Sequence, residues 1–600
     1  MFLRKIVQHR RGRTYTYYSL VETVRSAGGR VQQRTICYLG RLDNLQPPDW
    51  LHLAERLPDP AWLPQLMEEV GYTPPQPATG PLRSVTVDPH SIAWANPRRL
   101  GDVHVGLCAW KLLGLARLFE RLLPRGRTAI PLASVAALIA VNRLVDPRSE
   151  RGIFHWWPGT ALPELLGVPR SRLHLNLLYR CLSVGEPHKQ AIEAHLLGQG
   201  RDLFAFDNDL VLYDLTSTYF EGRSADNAKA QRGYSRDHRP DCKQLCLALA
   251  VNRDGFPLGF ESLPGNRRDA QTLTPLIAQL EQRCGGVRRL VCFDRGMATE
   301  ANLKHWRQTQ RRYLCAVRRN VVRQYLAQIR QGRWHVIRGH GDEPAIETLE
   351  LPSQQVEGVS ERWLLCRSAG CQRKERQIWE ARLQQARQKL ARLQAQVAAG
   401  TFTTPAVIQR KAKQAIGRTH DLRGLFSTKV RRVAGGKELV VEENPTALQE
   451  ERDLQGVYLL RTTDAELPAD ELWPAYMLLT RVEAAFRTLK TDLCLRPIFH
   501  HKEARADAHV LFAVLAYALS VTIQLRHRRH GGSETTAALL EKLSSIQLAE
   551  LSFRTVDGTR LRFERASLPS AEQAALLASL GWQIPDKYLP ADLRTEQERL

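Results

Sequence analysis

The chain has 600 residues, with 86 Lys plus Arg against 62 Asp plus Glu and a formal charge of +24. That length exceeds what one hydrophobic core serves, so three or four domains are expected. The cation excess points to a polyanionic partner, either nucleic acid or an anionic membrane surface.

Taken in order, residues 1–70 read as a basic N-terminal β module. Residues 1–45 carry nine Lys or Arg and two acids, and TYTYYSL and RVQQRTICYL are rich in strand formers on either side of a SAGG turn. Such a module either touches DNA backbone or simply solvates its basic side chains. The start, MFLRKIVQHRRGRTY, lacks the apolar run of a secretory signal, and a cytoplasmic protein is expected. Residues 71–99 form a Pro-rich linker around YTPPQPATGP. Residues 100–204 turn helical and are expected to be a DNA-binding domain. Arg143, Arg148 and Arg151, beside Trp156 and Trp157, are its candidate backbone contacts, although tryptophans in that setting are more often core.

The period changes over 205–320. VLYDLTS (211–217), KQLCLALAVN (243–252) and FPLGFESL (256–263) read as successive strands, with NRDG as a hairpin turn. A helix ending in Gly-Gly, the strand RRLVCFDRG (288–296), a second helix and the strand RYLCAVR (312–318) follow. Three strands in meander, then helix, strand, helix, strand, is the order of an RNase-H-like core with a mixed five-stranded sheet and flanking helices. The whole is thus a multi-domain α+β protein.

Residues 321–469 form a β-containing insertion. WHVIRG, AIETLEL and ERWLLC are strand-like, and a charged helix over 374–397 repeats Trp379, Leu383, Ala386, Leu390, Leu393 and Val397 as a seam for another helix, its own or a second copy's. Residues 405–437, with nine Lys or Arg and one acid, face either DNA or solvent. GVYLLRTT (456–463) returns as a strand. Residues 470–530 complete the core. A helix starts near Asp470, with Pro474 in its first turn, and places Tyr476, Glu483, Arg487 and Lys490 along one face. The apolar stretch 510–523, interrupted by Tyr517, Ser520 and Thr522, is shorter than the ~20 residues of a bilayer span and reads as a core helix, so no membrane partner is expected. A C-terminal helical region, 531–600, has small helices flanking a short strand pair. Eleven cysteines without a CxxC pair indicate neither a disulfide framework nor zinc.

Asp214 and Asp294 each end an apolar run, where an unpaired carboxylate is costly. In the expected sheet the first and fourth strands are parallel neighbours, so these acids meet at one edge. They repel unless a divalent cation bridges them, and Glu483 completes the set. Mg2+ (or Mn2+) suits oxygen ligands of this kind, and two ions ~3.5–4 Å apart can activate a water or a 3′-hydroxyl against a phosphodiester. Thr216, Ser217 and Thr218, then Ser235, Asp237, His238 and Lys243, and finally His500, His501 and His509 are weaker candidates; Lys243 could meet phosphate, and a charge at a strand start is equally ordinary.

These motifs resemble the DDE transposases of bacterial insertion sequences, in the insertion-sequence-four branch, whose signature is Tyr-x2-Arg-x3-Glu-x6-Lys. Tyr476, Glu483 and Lys490 match its spacing, while the arginine position holds Leu479; LYDLTSTYFEG, CFDRGM and RVQQRTICYLGRLD extend the likeness. The resemblance implies that Asp214, Asp294 and Glu483 are the catalytic, metal-binding triad and that Tyr476 and Lys490 grip a phosphate, with Arg487 placed to supply the missing cation. It also implies a homodimer on double-stranded DNA, transposon ends and target, near the bacterial nucleoid. The rivals are an RNase-H-fold nuclease without strand transfer and a catalytically inactive DNA-binding descendant.

Overall fold

The computed structural model of the chain describes residues 2–10, 13–25, 31–40, 42, 66–68, 86–124, 130–204, 210–283, 289–337, 346–417, 422, 424–433 and 436–590. Two compact units result: Met1–Asn96 with Glu164–Val168 and Glu550–Glu564, and Pro97–Pro163 with Pro169–Ala549 and Arg565–Leu600.

In the first unit, strands Phe2–Arg10, Arg13–Arg25 and Val31–Gly40 form an antiparallel meander. Leu20 and Val21 are its fully buried centre. The SAGG turn and the YTPPQPATGP cluster lie outside the described residues. The end of the expected linker is not linker at all: Val87–Arg99 is a strand, in one sheet with Gln547–Thr555 and Arg560–Ala566. Ser91 and Arg554 tie that sheet together, the Arg554 N–H donating to Ser91 Oγ at 2.7 Å.

The second unit is built on a nine-stranded sheet. Its strands, in chain order, are β1 (Leu210–Tyr219), β2 (Gln244–Val251), β3 (Pro257–Pro264), β4 (Leu290–Phe293), β5 (Tyr313–Ala316), β6 (His335–Ile337), β7 (Ile346–Val356), β8 (Val359–Ser368) and β9 (Val457–Thr462). Across the sheet they run β6-β7-β8-β9-β5-β4-β1-β2-β3. The β1/β4 and β4/β5 pairs are parallel, and the others are antiparallel. The expected five strands are therefore only part of the sheet. The YLLR run of the insertion pairs with β5, whose edge would otherwise offer unpaired backbone groups, and the WLLC run pairs in turn with YLLR. Every residue of β2, β4 and β5 is buried, as strands covered on both faces require.

On one face, Tyr213 and Leu215 pack with Leu273, Ile277 and Leu280 of helix Leu273–Arg283 and with Leu303 and Trp306 of helix Glu300–Gln308. Between them, Asp214 turns to the opposite face by strand alternation. Helix Leu479–Lys490 packs against β1 and β2.

The helices between Gly101 and Phe204, apart from the segment Glu164–Val168, belong to this same unit. Helices Leu132–Val145 and Leu175–Gly185 pack on Glu503–Arg529, which by length and composition is apolar enough to cross a membrane but whose apolar span is 83% buried within the protein. Arg143 is correspondingly not a DNA contact: it is buried and donates to the carbonyls of Leu493 (3.2 Å) and Cys494 (3.1 Å). Trp156 and Trp157 are core.

The seam residues Trp379 to Val397 of helix Ala369–Ala398 are buried. Their partner is the chain itself, through Ile408 and Ala412 of helix Pro405–Ile416 and Leu439 of the hairpin Phe426–Val433/Gly436–Glu443. Leu390, 2% exposed at the centre of this cluster, is expected to cost about 2–5 kcal/mol on Leu390→Ala. Equilibrium denaturation with limited proteolysis checks this, with new cleavage confined to the inserted segment.

Candidate active site

Parallel pairing of β1 with β4 sets the first two acids. The register runs Leu210 to Leu290, Val211 to Val291, Leu212 to Cys292 and Tyr213 to Phe293, and the next residue on each strand is Asp214 or Asp294. Asp294 leaves the sheet in a turn that its own carbonyl closes, accepting from the Met297 N–H at 3.0 Å. A Cβ on Gly296, inside that turn, would stand 3.9 Å from both Asp294 Oδ2 and Asp269 Oδ2.

The third acid arrives on a helix that differs from expectation. No single helix runs from Asp470 to Lys490. Ala469–Met477 has Pro468 as N-cap and Pro474 in its interior, and Leu479–Lys490 starts anew across Leu478. Proline cannot donate and crowds the preceding turn. The chain tightens after it: Leu478 N–H reaches the carbonyls of Pro474 (3.2 Å) and Ala475 (3.3 Å), and Arg481 N–H that of Leu478 (2.8 Å). Val482, Ala485, Phe486 and Leu489 bury one face of the second helix and leave Glu483 exposed on the other.

Asp214, Asp294 and Glu483 together line one cavity of about 150 Å3, with Tyr213, Tyr476 and Leu479 among its walls. Asp214 accepts from the Leu215 N–H at 2.7 Å. Desolvation nonetheless pushes its carboxyl up to about 7, the Leu215 bond and Arg236 opposing, Asp294 and Glu483 adding to the rise. Tyr476, half-buried with its ring 6.4 Å from that of Tyr458, has its phenol raised by burial and by Asp294. As the side chains are turned, no three His, Cys, Asp or Glu groups among the described residues form a ready ion cage.

The other candidates divide. Lys490 donates to Asp237 Oδ1 at 2.8 Å, and burial lowers its pKa. Arg487 is exposed on the same helix, and Lys243 reaches the Ser224 carbonyl at 3.4 Å. Ser217 accepts from the Arg236 N–H at 3.1 Å, and Thr216 and Thr218 are buried in β1. His509 is buried between the Leu495 carbonyl (3.0 Å) and Arg143 (3.2 Å), and His500 stands 3.3 Å from Glu150; both are packing residues. Two cations escaped the sequence reading. Arg236, which acts on Asp214 and pairs with Asp269 at 2.7 Å, sat unremarked between Ser235 and Asp237. Arg496, bonded to Asp237, had only a following proline to mark it.

Residues 205–519, more than half of the chain, match the family model described as transposase DDE domain. Residues 3–59 match that of the N-terminal domain of IS1634 family transposases. No curated protein matches the chain. Among solved structures, the cryo-EM structure of the piggyBac transposase synaptic complex with hairpin DNA is similar at a TM-score of 0.34 and 10% identity, over 73% of this chain and 79% of that one.

The raised Asp214 carboxyl has a thermodynamic consequence without any substrate. Below about pH 4 it is protonated in folded and unfolded chains alike; from there to about 7 only the folded chain keeps the proton, so stability falls as pH rises through that window. Asp214→Asn removes this loss. In chelator-treated protein its melting temperature should exceed the parent's by a margin that grows from pH 5 to pH 8; a constant margin would contradict the assigned burial.

Proposed function

The chain belongs to the DDE transposases, of the IS1634 type of insertion sequence, and we propose that it cuts and joins DNA at its element's inverted repeats with Asp214, Asp294 and Glu483 as catalytic carboxylates. The observation that carries this reading is their convergence on one cleft from three distant parts of the chain. The order β3-β2-β1-β4-β5, with two parallel pairs at its centre, supports an RNase-H-like core for the middle of the sheet.

A divalent ion of the Mg2+ or Mn2+ kind fits the donor set. Among the described residues the cleft wall offers hard carboxylate oxygens and neither thiol nor imidazole, which suits those ions rather than zinc. Burial, with Asp294 and Glu483 adding, raises the Asp214 carboxyl, and a cation held there would favour its ionised form. Such ions need only one or two carboxylates and complete their shells with water and substrate phosphate, so a ready cage is not required. Asp214, Asp294 and Glu483 would hold one or two of them. When bound, they supply an activated water or 3′-hydroxyl and neutralise the leaving oxygen.

The protein's own part is positional. β1 and β4 hold two carboxylates in fixed register, and helix Leu479–Lys490 sets the third against them. Tyr476 and Leu479 wall the cleft on the apolar side and limit water. Lys490, Arg487 and Lys243 are assigned to backbone phosphates. The substrate is double-stranded DNA, element ends and target, taken by a homodimer at the nucleoid.

Purified protein with Mg2+ and a labelled duplex carrying an element end should nick the DNA and join its 3′-hydroxyl to a target. Asp214→Asn, Asp294→Asn and Glu483→Gln should each slow cleavage at least about a thousandfold while the duplex stays bound, since several kcal/mol of charge stabilisation is removed. Cleavage surviving in any of the three would sink the triad. Hydrolysis without joining would favour a nuclease instead.

A further inference from the structure

Among the described residues, none lining the acidic cleft is a lysine or arginine, yet a strand bound there carries a negative charge at every phosphate. Cations from around the cleft must hold it, and an organised pair lies at the end of the Glu483 helix, Lys490 in its last turn and Arg496 in the segment that follows. Lys490 Nζ donates to Asp237 Oδ1 at 2.8 Å, and Arg496 donates to the same oxygen. The Asp237 side chain is 3% exposed, that of Lys490 11% and that of Arg496 31%. Asp237 Oδ2 is buried and, among the described residues, has no hydrogen-bond partner. One buried anion thus fixes two cations, and the cluster stays positive.

Neither cation is used up by this contact, because an ammonium has three donors and a guanidinium five. Arg496 also lines a cavity of about 180 Å3 with Arg148 and His500, where the acid on the wall, Glu150, is engaged by His500. The loop carrying Asp237 is itself held: Arg236 N–H donates to Ser217 Oγ on β1 (3.1 Å), and Arg239 N–H to Ser235 Oγ (3.0 Å). Asp237, Lys490 and the triad are therefore referred to the same strand and helix. The Arg487 guanidinium, by contrast, has no partner among the described residues and loses more rotamer freedom when it binds.

We propose that Arg496 and Lys490, positioned by Asp237, form a two-cation seat for a backbone phosphate of the bound DNA, neighbouring the one that is cut. This rests on the reading of the cleft as the cleavage site. Asp237 acts through the cations and is a positioning residue; Arg496 touches the substrate.

The test is binding of the full chain to a random-sequence duplex across a salt series. Arg496→Gln and Lys490→Gln should each weaken binding about tenfold at low salt and lower the slope of log K against log salt by about one. Arg496→Lys should restore the slope. Asp237→Asn removes a negative charge, so charge counting alone predicts tighter binding, whereas loss of positioning predicts weaker binding. An unchanged slope in Arg496→Gln would overturn the seat; so would tighter binding by Asp237→Asn. Arg496 is partly exposed, so its variants stay informative even if Asp237→Asn fails to fold. Cleavage lost in Asp214→Asn with an Arg496→Gln slope like the parent's would sink the seat alone. Cleavage surviving in Asp214→Asn would sink the cleft assignment instead.

Discussion

The parallel pairing of β1 with β4 is the constraint on which the rest depends. Parallel neighbours must be joined by a crossover, and here the chain spends β2, β3 and helix Leu273–Arg283 on returning to the β1 edge. In exchange, two residues 80 apart in sequence, Asp214 within β1 and Asp294 just past the end of β4, come to the same level on adjacent strands. Val291 and Phe293 of β4 fill the cluster under the two helices, and a slip by one residue would put Leu290 and Cys292 in their place, so the level of Asp294 relative to Asp214 is set by packing rather than by any contact between the two acids.

Electrostatics then explains why this cleft is a site and not merely a seam. Asp214 is half-buried, its carboxyl raised by desolvation, with two further carboxylates on the same cavity and no cation on the wall. Elsewhere in this unit buried acids are answered: Glu361 by Arg307 and Arg461, Asp237 by Lys490 and Arg496. Arg236, which acts on Asp214, and Lys490 are turned to Asp269 and Asp237. The fold thus holds positive charge around an acidic centre without quenching it, as the proposed binding of both a metal ion and a phosphate requires.

The legible parts of the sequence were those with a strong local period or an unmistakable chemical cost. The strands around Asp214 and Asp294 stand out as apolar runs ended by an acid, and the seam of helix Ala369–Ala398 by its alternating spacing of four and three. What stayed hidden depends on tertiary pairing. The strand Val87–Arg99 carries polar residues and a proline at each end, and its partners lie some 450 residues later. The insertion's strands read as strands, but nothing local says they extend the central sheet past β5. The break at Leu478 follows from Pro474 in the helix interior, a position that local sequence does not distinguish from a first turn. Arg143 looked like a DNA contact because a basic side chain beside tryptophans is ambiguous until burial is known. Arg236 and Arg496 matter only through what they stand beside.

The central claim is that Asp214, Asp294 and Glu483 share bound metal. Fe2+ in place of Mg2+, with ascorbate and peroxide, generates radicals that cut the polypeptide beside the ion. The account predicts three clusters of cuts, near 214, 294 and 483, all suppressed by excess Mg2+ and all lost in Asp214→Asn. Cuts at only one of these segments, or at none of them, would contradict it.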